Sequence, residues 1–242
     1  MATTETEFLR DYDPAKFERP SVTVDLVLMT VSGRTLRALT IRRDSHPAAG
    51  KWALPGAFVG IDESLDAAAK RILKDRAHIA SAYLEQLYTF GDVHRDPRMR
   101  IITVVYFALL PEARFENLRT QSADRCLAKI EVDGTADRIK LFDGDGAALK
   151  VAFDHADILA LAVERLRGKL DYSDIAFALL PTEFTLRQLQ EVHEAIRGTQ
   201  LNKPAFRRRM LDKKILKATG RFESGAAFRP AELYTFVPEK NR

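Results

Sequence analysis

Between Glu63 and Arg76, charged side chains interrupt an alanine-rich stretch. Ser64 is placed to cap a helix beginning at Leu65, and Ala67, Ala68 and Ala69 favour that helix intrinsically. On such a helix, positions 72, 75 and 76 stand at i, i+3 and i+4 and share one face. Several carboxylates on that face could hold a hard divalent cation, which takes oxygen ligands. This chain presents Ile72, Asp75 and Arg76 there instead. Ile72 offers no oxygen, Arg76 puts a fixed positive charge where an ion would sit, and Asp75 reads as a partner of Arg71 or a solvated charge. No residue is therefore assigned a catalytic or metal-ligating role.

The second candidate chemistry is cationic. Asn202, Lys203, Arg207, Arg208, Arg209, Lys213 and Lys214 fall close together, with Arg229 further on. Phe206, Met210 and Leu211 supply the inward side of the helix expected there, leaving the three arginines outward. Arginine is suited to bidentate readout of guanine, and basic flanks suit phosphate. A merely solvated basic helix is the plainer reading. DNA binding is favoured because charge, turn and wing coincide in this module.

These residues need elements to hold them. Residues 1–20 contain Pro14 and Pro20 and read as an irregular arm. Residues 22–31 and 36–41, β-branched and apolar around Ser32-Gly33, read as a hairpin. Residues 42–52 form a loop punctuated by Pro47 and Gly50. After the helix at 65–76, residues 83–90, 101–110, 126–132 and 139–142 are strand-like. Mixed strands with interspersed helices indicate an α/β domain over 21–153. Asp154 is placed to cap a helix reaching about residue 170, with Ile158, Leu159, Ala162 and Leu166 at helical spacing. His155 beside it reads as a structural hydrogen-bonding residue. The connection then runs to 181.

In 182–242, Thr185 caps a helix over 186–197 that Gly198 closes. Asn202-Lys203-Pro204 starts a second helix, with Pro204 suited to the first turn. Residues 215–218 and 232–236 pair around a tip at 220–225. Helix, turn, helix and two-stranded wing is the winged helix-turn-helix arrangement, which lays its second helix in the major groove.

Composition fits this division. Of the 242 residues, 46% are hydrophobic and 30% charged, the balance of a folded rather than a disordered chain. No apolar run reaches membrane-spanning length. Cys126 is the sole cysteine, so no internal disulfide or cysteine-based zinc site can form, and it reads as a small buried hydrophobe. The acidic start lacks the form of a secretion signal, and a cytoplasmic location is expected. Residues 182–242 carry 13 Lys/Arg against 7 Asp/Glu, while residues 1–181 carry 25 against 27. A basic module joined to a near-neutral one is the asymmetry expected where one part meets a polyanion.

The stretch from Pro55-Gly56 to Ile79 resembles the Nudix box, G-x5-E-x7-R-E-U-x-E-E-x-G-U, where U is a bulky aliphatic. Ala57 takes the first Gly position and Glu63 and Arg71 match, while Ile72, Asp75 and Arg76 replace the three metal-holding glutamates. The match extends over about residues 20–238. It includes Lys51-Trp52-Ala53-Leu54-Pro55-Gly56, Tyr88-Thr89-Phe90-Gly91, Arg95-Asp96-Pro97-Arg98 and Phe153-Asp154-His155. In the basic module it includes Phe184-Thr185-Leu186, Phe206-Arg207-Arg208 and Arg229-Pro230-Ala231-Glu232-Leu233-Tyr234. Taken whole, the chain resembles the NrtR-like family, the Nudix-related transcriptional regulators of NAD metabolism.

The resemblance implies an α/β/α Nudix sandwich without enzyme activity, sensing ADP-ribose or a related NAD-derived nucleotide. It also implies a homodimer whose winged helices grip double-stranded operator DNA, with no cofactor. For such a ligand, Trp52 and Phe90 are candidate stacking surfaces, and Arg43, Arg95 and Arg98 are candidate phosphate partners. Two rivals stand beside this: an active Nudix hydrolase of ADP-ribose-like nucleoside diphosphates, and a Nudix-type regulator answering to a sugar.

Overall fold

The run at 24–29, apolar except for Asp25, lies in β1 (Ser21–Ser32), a strand buried on both faces. Its even positions Val24, Leu26 and Leu28 join one core and its odd positions Val27 and Met29 join another, as strand periodicity requires. The computed structural model describes residues 4–115, 123–133, 138–170, 172–223 and 230–238.

Around β1 are β2 (Thr35–Arg42), β3 (Trp52–Ala53), β4 (Gly56–Phe58), β5 (Glu85–Phe90), β6 (Ile101–Leu109), β7 (Arg125–Val132) and β8 (Ile139–Phe142). The sheet order is β5-β6-β1-β2-β7-β8, with β6 parallel to β1 and β4 antiparallel to its first half. Helix α2 (Leu65–Asp75) covers one face with Ala68, Ala69, Ile72 and Leu73. Helix α3 (His155–Lys169) covers the other with Ile158, Leu159, Ala162, Val163 and Leu166. The expected α/β/α sandwich results.

Beyond α3, a short helical stretch at Ile175–Leu179 leads to β9 (Phe184–Thr185), α4 (Leu186–Arg197), α5 (Lys203–Asp212), β10 (Leu216–Phe222) and β11 (Glu232–Phe236). Both halves of the capping box at Thr185 form with Gln188, and Gly198 closes α4 at φ 72°, where a side chain would be strained. The wing carries three strands in the order β10-β11-β9, not two. Thr185 must be extended to cap α4, and this lets Phe184 and Thr185 pair with Tyr234 and Leu233. The α3-side core runs without a break into the winged helix through Phe184, Leu189, Ile196, Phe206 and Met210.

Other expectations are corrected. The arm at 1–20 holds a helix, α1 (Glu5–Asp11), because Thr4 and Glu7 complete a capping box. Leu211 is exposed, since only Phe206 and Met210 of α5 face α4. Cys126 is half-buried. Tyr83 precedes β5 and is exposed.

Candidate functional site

A cavity of about 480 Å³ opens beside β1 and β4, against the N-terminus of α3. Its floor is ionic. Asp25 on β1 is buried and accepts from Thr103 Oγ1 at 2.7 Å. Gly56 on β4 makes that possible, since a Cβ there would stand 1.9 Å from Asp25 Oδ1. Arg95, whose side chain is 5% exposed, donates Nε and Nη2 to the two oxygens of Asp154, both at 2.8 Å. Its Nη2 also lies 3.9 Å from Asp25.

Asp154 occupies the cap position of α3 but makes no side-chain cap bond. Its carboxylate is committed to Arg95 instead. His155 is buried, and its Nδ1 accepts from Leu54 N at 2.8 Å, joining β3 to α3. Burial pushes its pKa down, so the ring is neutral, in keeping with a structural role.

The pocket walls are arginine and aromatic. Arg98 binds Asp96 through Nε and Nη2 at 3.0 and 2.8 Å, holding that carboxyl below its usual range. The Arg98 guanidinium also lies 5.4 Å from the Phe58 ring centroid. Arg43 donates to Pro47 O at 2.8 Å and sits 4.9 Å from the Phe153 ring centroid. Arg42, Arg76 and Arg125 also line the cavity, so six arginines meet Asp25, Asp44, Asp96 and Asp124.

The structure thus gathers Arg43, Arg95 and Arg98 but not the two aromatic candidates. Trp52 is half-buried, and its backbone joins β3 to Lys150 and Ala152. Phe90 packs against the core and stands edge-on to Tyr88 at 5.3 Å. The rings lining the cavity are Phe58 and Phe153. Phe58 lies two residues after the glycine that admits Asp25, and Phe153, at φ 52°, directly precedes the cap. Nothing in the sequence says where these rings point.

The Nudix-like helix shows how its matching residues are used. Arg71 grips Glu63 with two bonds of 2.7 Å and reaches Phe58 O at 3.0 Å. Glu63 also accepts from Gly60 N, and together these bonds pull its carboxyl down to about 2. The pair ties the loop before α2 to the helix. Ile72 is wholly buried, Asp75 is exposed and Arg76 turns to the cavity. His78 stands where the box has its last glycine and keeps the left-handed backbone, with φ 53°.

On the winged helix, Asn202 caps α5 through Ala205 N at 3.0 Å. Phe206 and Met210 anchor the helix. Asn202, Lys203, Arg207, Arg208, Arg209, Lys213 and Lys214 are all exposed. Arg229 lies outside the described residues. Two arginines join this module to the sheet domain. Arg34, on the β1–β2 hairpin tip, donates to Glu194 at 3.1 Å, and Glu194 accepts from Leu201 N in the α4–α5 turn. Arg167 on α3 donates to Ile196 O at 2.9 Å.

Comparison with known proteins matches this geometry. Residues 19–134 fit the NUDIX domain description and residues 176–236 the NrtR DNA-binding winged helix domain. The chain is 36% identical over 237 residues to the "ADPR responsive transcriptional repressor NtrR" of Acinetobacter baylyi, covering 97% of this chain and 89% of that one. It is 26% identical over 140 residues to an ADP-ribose pyrophosphatase of Methanocaldococcus jannaschii, covering 58% of this chain and 71% of that one. Shewanella oneidensis NrtR in complex with a 27mer DNA superposes at TM-score 0.73 with 33% identity, over 91% of this chain and 95% of that one. Its Nudix domain with ADP ribose gives TM-score 0.50 and 31% identity, over 68% and 99%. The chain belongs to the NrtR-like family of Nudix-related transcriptional regulators.

Proposed function

We propose that this chain represses transcription by gripping a double-stranded operator as a homodimer in the cytoplasm. ADP-ribose, or a related NAD-derived nucleotide, occupies the Nudix pocket and changes the grip. One observation carries the reading: a positive, aromatic-walled cavity lies on the same folded body as the exposed basic face of α5, with Arg34 and Arg167 both bonded to α4, the helix against which α5 packs. Phe58 and Phe153 offer surfaces for an adenine ring, and Arg43, Arg76, Arg95 and Arg98 suit a pyrophosphate. On DNA, the α5 arginines face the groove, while Lys203, Lys213, Lys214 and Arg229 meet phosphate.

The domain acts as a sensor and not a hydrolase, because the α2 positions that would hold a cation supply a buried isoleucine and an arginine. A gel shift with the chain's own upstream DNA, with and without ADP-ribose, tests the function. The expected result is a salt-sensitive complex whose stability the nucleotide changes. Failure to bind any duplex at low salt would overturn it. Steady AMP release with Mg²⁺ would make the chain a hydrolase, and a melting-point rise with pentoses but not ADP-ribose would make it a sugar-responsive regulator.

A further inference from the structure

We propose that Arg76 stands in for the divalent cation that the Nudix box would hold, a fixed charge that receives the nucleotide's pyrophosphate and frees binding from Mg²⁺. The inference rests on the nucleotide reading above and deepens it. A metal needs oxygen ligands, and the residues present do not fit one. Ile72 is core, Glu63 is committed to Arg71 and Gly60, and neither Glu63 nor Asp75 lines the cavity. Asp75 acts instead on Arg71, whose charged form it favours. Among the described residues, no three His, Cys, Asp or Glu side chains cluster as ion ligands would. From α2 and its two caps, the described residue that reaches the cavity is Arg76.

Arg76 is also the cavity arginine whose guanidinium is uncommitted. Arg95 and Arg98 each spend two donors on a carboxylate, those of Asp154 and Asp96. Arg43 donates to Pro47 O and lies against Phe153, Arg42 donates to Gly50 O, and Arg125 meets His78. The Arg76 guanidinium makes no hydrogen bond, ion pair or ring contact among the described residues, and the side chain is exposed. A planar fork of free donors suits two parallel bonds to phosphate oxygens. The exchange also separates holding the ligand from cutting it. A bound divalent ion lowers the pKa of its water and so supplies a nucleophile. A guanidinium neutralises charge but activates no water and gives up no proton near neutral pH. The pyrophosphate is therefore held intact, as a sensor requires.

The test is calorimetric titration of the full chain with ADP-ribose, in EDTA and in millimolar Mg²⁺, over a series of salt concentrations. Wild-type affinity should agree between the two buffers within about twofold. Arg76→Ala should weaken binding about ten- to a hundredfold, the worth of a hydrogen bond to a charged group, and make its salt dependence shallower. Arg76→Lys should recover part of that affinity with the wild-type salt dependence, since it restores the charge without the fork. The melting temperature of Arg76→Ala, expected to stay near that of wild type for an exposed side chain, separates binding from folding. The comparison of EDTA with Mg²⁺ needs no variant. Three results overturn the inference while leaving the operator and nucleotide readings intact. They are wild-type binding that EDTA abolishes, an Arg76→Ala affinity within about twofold of wild type, and a weakened affinity with unchanged salt dependence. Failure of the wild-type chain to bind ADP-ribose in either buffer overturns the nucleotide reading along with it.

Discussion

Replacing Arg95 with leucine removes the cation that holds Asp154 and stands near Asp25. The side chains of Arg95, Asp25 and Asp154 are 5%, 9% and 17% exposed, so water screens the group poorly. Breaking a buried pair from one side costs about 3–5 kcal/mol, because a desolvated charge is left uncompensated. An exposed pair would cost about 0–1 kcal/mol. The slight exposure of Asp154 places Arg95→Leu near the lower end of the buried range. For a chain of this size, each kcal/mol moves the melting temperature by about 2–4 °C, so a loss of about 3 kcal/mol gives an expected fall of roughly 6–12 °C.

Urea unfolding followed by circular dichroism measures the free energy, provided different probes give one transition. The double variant Arg95→Leu with Asp154→Leu should recover part of the loss, with a coupling of about 1–3 kcal/mol. Arg95→Lys should not rescue, because one ammonium cannot reproduce the two-bond fork. A loss below about 1 kcal/mol for Arg95→Leu would refute the claim that this pair fixes the start of α3.

Other expectations follow from the same geometry. Ile72→Glu restores the Nudix letter but buries a carboxyl in the α2 core, and should cost about 3 kcal/mol or more in urea unfolding. Alanine at Arg207, Arg208 and Arg209 should abolish a gel shift at moderate salt while leaving the melting temperature within about 6 °C, since all three are exposed and each such change is worth about 0.5 kcal/mol or less. Removing a single arginine that meets phosphate should reduce the salt slope by about one. Arg34→Ala should change stability by no more than about 1 kcal/mol, yet alter the ratio of operator affinities measured with and without ADP-ribose. Burial lowers the pKa of His155 in the folded state, so below about pH 6.5 the unfolded chain takes a proton that the native one refuses. Stability is therefore full above that pH and falls as pH drops, by up to about 1.4 kcal/mol per unit. A melting series from pH 7.5 to 5.5 should show this, flattened in His155→Gln.

Local chemistry makes much of this legible in the sequence. Ser64, Thr185 and Asn202 cap the helices they precede, Gly198 ends α4, and the apolar runs become β1, β2, β6, β7 and β8 near their expected bounds. These features depend on neighbours within a few residues, so they are written in the chain. Arg43, Arg95 and Arg98 do converge on one cavity. Its rings are Phe58 and Phe153 rather than Trp52 and Phe90, because stacking potential does not reveal which side of a strand faces a cavity.

Asp154 illustrates the same divide. As the residue before a helix it has every local reason to cap α3, yet its carboxylate goes to Arg95, distant in sequence. Sequence alone established the two modules, their charge asymmetry and the absence of side-chain oxygens at positions 72 and 76. Only the tertiary structure decided that Ile72 is core, that Glu63 and Arg71 serve as a brace, and that Arg34 bonds Glu194 on α4. Those outcomes depend on long-range packing, where burial and charge pairing between distant segments override what each segment prefers by itself.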